Sequence, residues 1–183
     1  NPDMLMTMHG MFWRFPHTFT SQNTAGITPR GAYLKVIGDF TEWNGRLVFG
    51  CDDSAQSEFL NKRRQKGNIG GTGQSNSNIW FGDISTPDNV GPTTAAGSLW
   101  LKEQVEAGVP SDPFLFAGWD NRCAWMANRS DKDATITFEV DKKGDGTWTQ
   151  LRTETLAAGE SKFIPFEPQD EGICCLLYTS DAA

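Results

Sequence analysis

Trp43-Asn44-Gly45 lies between two runs of strand-forming residues, Tyr33–Phe40 and Arg46–Cys51. An Asn-Gly pair accepts the positive φ that both central residues of a type I′ turn require. The twist of that turn matches the twist of two antiparallel strands, so the segment is committed to a β-hairpin. The rest of the chain is punctuated in the same manner. Its 183 residues include 19 glycines and nine prolines, which favours short elements joined by many turns. Twelve Phe and seven Trp provide enough apolar bulk for a packed core.

Further strands are expected over Met4–Phe15, stopped by Pro16, and over 78–84, 98–102, Phe114–Trp119 and Cys123–Ala127. Three more, 134–140, 147–155 and 161–166, are expected to form an antiparallel meander. One helix is expected over 55–66, capped by Ser54 and stopped by Gly67, with a Gly/Ser/Asn-rich loop over 67–78 after it. Strands end in Gly-Asp or Gly-x-Asp at Gly38, Gly50, Gly82 and Gly118, and the last three of these glycines are 32 and 36 residues apart. Rebuilding the same strand end at a regular interval suits an antiparallel radial architecture. The expected fold is therefore all-β, a partial β-propeller of antiparallel blades over 1–118 followed by a small β-meander or sandwich-like module (or last blade) over 119–173.

The segments Met8–Pro16, Tyr33–Asp39, Phe49–Asp53, Glu58–Arg63 and Ser111–Phe114 together resemble a family of bacterial, secreted, propeller-like proteins. The resemblance covers most of residues 4–172 and implies a secreted or periplasmic setting in polysaccharide-using bacteria. It implies no particular activity. On that reading the chain is a C-terminal, metagenomic fragment of such a protein. The segment Cys175–Ala183 resembles the in-frame translation of a transposase mosaic end and its sequencing primer, so 174–183 is read as a non-native tail. Cys51 and Cys123 are the remaining thiols, and two cysteines carry no metal-site spacing; burial as free thiols is expected for both.

Several chemistries are excluded by what the sequence lacks. Lys and Arg total 16 against 23 Asp and Glu, a net charge of −7, so no basic field exists for nucleic acid. No apolar run is long enough for a membrane-spanning helix. No P-loop occurs, Gly70–Gly73 lacks the rest of a dinucleotide fingerprint, and two histidines cannot build a multi-histidine zinc site. Asp141–Gly146 is similar to a calcium loop, but Lys143 stands where a second carboxylate is needed, which favours a hairpin turn. No metal and no cofactor is implied. The sequon at Asn128 is discounted.

What remains is a set of aromatic rings, carboxylates and cations between His9 and Trp80. Saccharide sites use these types, a ring for the apolar face of a sugar and planar polar groups for its hydroxyls. The expected catalytic candidates are His9, Tyr33, Arg14 and Asp39. In a lyase, His9 or Tyr33 would take a proton while Arg14 or Arg30 neutralises a uronate; in a glycoside hydrolase, two of Asp39, Asp52 and Asp53 would form the carboxylate pair. The expected substrate-binding residues are Trp13, Arg30, Trp43, Asp52, Asp53, Lys62, Arg63 and Trp80. The bland readings are turn ends for the aspartates, core for the tryptophans and a solvated helix end for Lys62 and Arg63. The expected partner is a complex or acidic carbohydrate, either processed by an enzyme or held by a noncatalytic propeller or β-sandwich module for glycan or protein interaction.

Overall fold

A computed structural model describes residues 3–52 and 77–180. Every regular element among them is a β-strand, apart from one 3-10 turn over Thr86–Asp88. The expected helix over 55–66 and most of the expected loop over 67–78 lie outside the described residues, as do Asp53, Lys62 and Arg63. The strands are β1 (Asp3–Met8), β2 (Met11–Pro16), β3 (Thr28–Ala32), β4 (Val36–Trp43), β5 (Arg46–Asp52), β6 (Ser77–Gly82), β7 (Phe114–Leu115), β8 (Arg122–Ala127), β9 (Ala134–Asp141), β10 (Thr149–Leu156), β11 (Ser161–Phe166) and β12 (Ile173–Ser180). They form four small sheets in the orders β1-β2-β3, β4-β5-β6, β10-β9-β12-β7 and β11-β8, none of them closed. The fold is all-β, as the sequence indicates.

Two compact units divide the chain. The aromatic unit comprises Leu5–Trp13 and Pro29–Thr94; the two-layer unit comprises Asn1–Met4, Arg14–Thr28 and Ala95–Ala183.

In the aromatic unit the Asn44-Gly45 hairpin forms as expected, with φ of 52° and 75° and Trp43 paired to Arg46. A second turn of the same kind corrects the single strand expected over Met4–Phe15. His9 and Gly10 take φ of 53° and 75°, so the run folds back into β1 and β2. The turn places Phe12, fully buried, against Tyr33, Phe49 and Trp80, with ring centroids 4.6, 5.4 and 6.2 Å away. Met11 and Trp13 on the opposite face of the same strand are also buried, and the Trp13 indole N–H donates to the Met8 carbonyl at 3.0 Å. Gly31 packs against the 3-10 turn so closely that a Cβ there would lie 2.5 Å from both the Pro87 carbonyl oxygen and a Val90 methyl.

The two-layer unit departs from the expected meander. β10 pairs with β9, but β11 pairs with β8 instead of continuing the sheet. The burial pattern explains the departure. Ile136, Phe138 and Val140 alternate on β9, and a single sheet would leave that face in water. Placing Met126 of β8 and Ile164 of β11 over it, with Leu156 and Phe116, makes one shared core of two layers. Leu99 and Trp100 also pack on this core, and they are consecutive, which a strand's alternation forbids. The strand expected over 98–102 is accordingly irregular chain, with Lys102 at φ 57°. The strand expected over Phe114–Trp119 contracts to two residues because Gly118 turns the chain at φ 83°.

Polar groups join the layers where no backbone ladder runs. Glu154 of β10, buried, accepts from Lys162 of β11 and from Arg152, and Arg152 also donates to the Pro165 carbonyl at 2.9 Å. The Asn128 amide donates to the carbonyls of Lys132, Leu156 and Ala157, holding the end of β8 to the β10–β11 corner. The Arg122 guanidinium lies 4.6 Å from the Phe116 ring centroid and donates to the carbonyls of Phe116, Glu167, Pro168 and Asp170. Residues 173–180, of which 174–180 belong to the tail read as non-native, run as β12 between β9 and β7. A backbone ladder accepts any non-proline residue, so this pairing reflects the open side of β9 and not the origin of the segment. Cys51 is buried as expected; Cys123 instead faces outward from β8, and both are free thiols.

Two outcomes follow. Lys162 and Arg152 hold the Glu154 carboxyl below its ordinary value by hydrogen bonding its ionised form, against the opposing pull of burial. A lowered folded value gives stability that is present above the unfolded carboxylate range and is lost as pH falls through the lowered value. Wild type is expected to lose melting temperature between about pH 5 and pH 2 more steeply than Glu154→Gln, and equal slopes in a melting series would contradict this. Separately, Gly31→Ala is expected to cost about 2–3 kcal/mol in urea unfolding, because its methyl meets backbone that cannot rotate away.

Candidate functional site

Tyr33 follows β3 and Trp80 lies mid-β6, and the two rings flank an open cleft of about 530 Å³ within the aromatic unit. Its walls are completed by Leu34, Lys35, Val90 and Gly91. The cleft is held from below. Tyr33 rests on Phe12, and Trp80 stacks on Phe49 with centroids 4.8 Å apart. The Tyr33 amide donates to the Gly10 carbonyl at 2.8 Å, and Ala32 and Gly91 exchange two backbone hydrogen bonds of 2.8 and 2.9 Å. The Lys35 ammonium lies 5.7 Å from the Trp80 ring centroid. Burial raises the Tyr33 phenol above its ordinary value, with a hydrogen bond to Thr7 acting the other way. Near neutral pH Tyr33 is therefore a proton-bearing donor and acceptor, not a base.

The structure thus brings Tyr33 and Trp80 together and distributes the other described candidates elsewhere; Asp53, Lys62 and Arg63 lie outside the described residues. His9 is exposed in its turn, where its left-handed backbone has a conformational explanation. Trp13 is core, 5% exposed. Arg30 presents a bidentate fork to Asp88, both bonds 2.7 Å. Arg14 lies in the other unit, exposed, with its guanidinium 3.3 Å from Asp3. Asp39 is exposed beside a bulge in β4 and accepts from the Phe40 amide at 2.8 Å. Asp52 ends β5.

Strand parity explains the dispersal. Phe40, Phe49 and Trp80 pair in register and share one face of the β4–β5–β6 sheet. Trp43 is an odd number of residues from Phe40, so it belongs to the other face, where it meets Phe81 edge-on at 6.4 Å. Asp39 shares that outer face. Trp43 and Trp80, expected at one site, are on opposite sides of the sheet. Lys35 was missed because it was read only as part of a strand. The chain bends at Leu34 and Lys35 between β3 and β4, which the strand expected over Tyr33–Phe40 did not anticipate.

The cleft can do limited chemistry. No carboxylate and no imidazole lines it among the described residues. It offers two aromatic rings, one ammonium and one phenol, which is a recognition set. No protein-family model matches the chain, and neither does any curated protein or any solved structure.

His9→Asn is expected to keep or raise stability by about a few tenths of a kcal/mol, since Asn-Gly is the preferred pair for this turn. His9→Val is expected to lower it by about 1–2 kcal/mol, because a β-branched residue is strained at positive φ. Thermal melts of the two variants check the pair; a Val variant as stable as the Asn variant would contradict the turn's role.

Proposed function

We propose that the chain is part of a secreted bacterial β-propeller-like protein that binds complex, acidic carbohydrate without transforming it. The observation that carries the binding reading is the cleft between Tyr33 and Trp80 with the Lys35 ammonium at its side. A pyranose presents an apolar face of C–H groups and a rim of hydroxyls. The rings of Trp80 and Tyr33 suit the face, the phenol suits a hydroxyl, and the ammonium suits a uronate carboxylate. Binding is preferred to lysis or hydrolysis because the protonated phenol is a weak base and, among the described residues, the lining holds no carboxylate pair. The small antiparallel sheets support the propeller-like reading. The β4–β5–β6 sheet exposes large apolar side chains on its outer face as well, Trp43, Ile79 and Phe81 at 62%, 65% and 45%, which suits a blade packed against a neighbour.

Calorimetric titration with uronate oligosaccharides tests the reading. Lys35→Gln is expected to weaken binding about tenfold, equivalent to about 1.4 kcal/mol, and to remove most of its salt dependence. Trp80→Phe is expected to weaken it several-fold while the inner aromatic cluster stays packed. Unchanged affinity in Lys35→Gln, or release of an unsaturated or hydrolysed product on incubation, would overturn the proposal.

A further inference from the structure

The two-layer unit contains a separate cavity of about 690 Å³ that no part of the carbohydrate cleft uses. Its floor is aliphatic, from Pro16, Ile27, Leu115 and Ile173. Its rim is polar and exposed, and carries Lys142, Lys143, Asp145, Gln169 and Glu171. The volume falls in the ordinary range of small-molecule sites, about 300–1,000 Å³.

One wall of this cavity is fixed by the turn from β9 to β10. Asp141, buried at 3% exposure, accepts from the amides of Lys143, Gly144 and Gly146 at 3.0, 2.7 and 2.7 Å. A carboxylate taking three backbone donors fixes the turn, so the sequence similarity to a calcium loop is answered by the chain's own amides. The tip of the turn is seated on residues 24–25. The Gly144 carbonyl accepts from the Thr24 amide at 2.9 Å and from its hydroxyl at 3.2 Å. At φ 68°, a Cβ on Gly144 would lie 2.3–2.7 Å from the backbone of Thr24 and Ala25. The wall bearing Lys142, Lys143 and Asp145 is thus set before any ligand arrives.

The rim narrows the ligand class by elimination. A simple anion that met the two ammonium groups would also face Asp145 and Glu171, and a simple cation would face the two lysines. A purely apolar ligand would strip water from four charges without replacing it. Hydrogen bonds from Thr147 lower the Asp145 carboxyl, so it stands ionised as an acceptor. A ligand dense in groups that both donate and accept satisfies ammonium, carboxylate and amide together, and hydroxyls are such groups.

We propose that this cavity is a second binding site, for a neutral, hydroxyl-rich ligand of the size of a short oligosaccharide segment. It stands on different residues and a different unit from the Tyr33–Trp80 cleft, so either proposal can fail without the other. The test is calorimetric titration of the full chain with neutral cello-, malto- and manno-hexaose. At least one is expected to bind, with affinity unchanged between about 0.05 and 0.5 M sodium chloride because the ligand carries no charge. Lys143→Ala and Glu171→Gln are each expected to weaken that binding about tenfold, while Lys35→Gln leaves it as in wild type. Both altered side chains are exposed, so the variants are expected to melt with the wild type, and melting curves verify it. Absence of binding by all three sugars, binding abolished by salt, or wild-type affinity in both folded variants would each overturn the proposal.

Discussion

The aromatic unit depends on the burial of one residue. Phe12 of β2 packs against Tyr33, after β3, and against Phe49 and Trp80, which are paired across β5 and β6 in a sheet that does not include β2. A three-stranded sheet cannot cover its own face, so the inner side of β4–β5–β6 needs a partner, and the β1–β2 hairpin inserts Phe12 as that partner. Truncating a buried phenylalanine typically costs about 3–5 kcal/mol, a large share of the stability of a small unit. The cleft inherits its rigidity from the same contact. Both rings that line it lie on Phe12, so the groups offered to a ligand are held by the core and not by a loop.

The two-layer unit solves the same covering problem differently. It folds β8 and β11 over β9 and β10, which creates a shared core but leaves the layers without a common ladder. Side chains take over that task. Glu154 with Lys162, Arg122 with four carbonyls and Asn128 with three each satisfy polar groups at the places where the chain changes layer. Buried or half-buried polar groups so placed stabilise only while their partners are intact, which makes these corners more sensitive to charge than the apolar centre.

Local chemistry was legible in the sequence and pairing was not. Asn44-Gly45 fixed its hairpin because the turn type is decided by two residues. His9-Gly10 makes the same turn and went unread, because histidine is a rarer occupant of positive φ and its neighbours suggested a catalytic base. The alternation of Ile136, Phe138 and Val140 identified β9, but nothing local to 161–166 says whether β11 lies beside β10 or across from it. That choice is made by the need to cover an apolar face, a property of the assembled unit. Leu99 and Trp100 show the complementary limit: an apolar run can pack on a core without being a strand.

Residue type alone also overstated the site. Rings, cations and carboxylates between His9 and Trp80 suggested one constellation, yet strand parity divides them. A one-residue offset moves a side chain to the other face of a sheet, so Trp43 and Asp39 are separated from Trp80 by the sheet itself. Arg30 and Trp13 are further removed by their own partners, a carboxylate fork and a backbone carbonyl. Among the described residues, Tyr33, Trp80 and the unanticipated Lys35 are the ones that line one cleft together. Three groups of that kind suit recognition better than proton transfer, because the phenol keeps its proton near neutral pH. The dispersal is therefore the physical reason for preferring recognition over catalysis. Among the described residues, the candidates carried by the β4–β5–β6 sheet lie on opposite faces of it and do not converge.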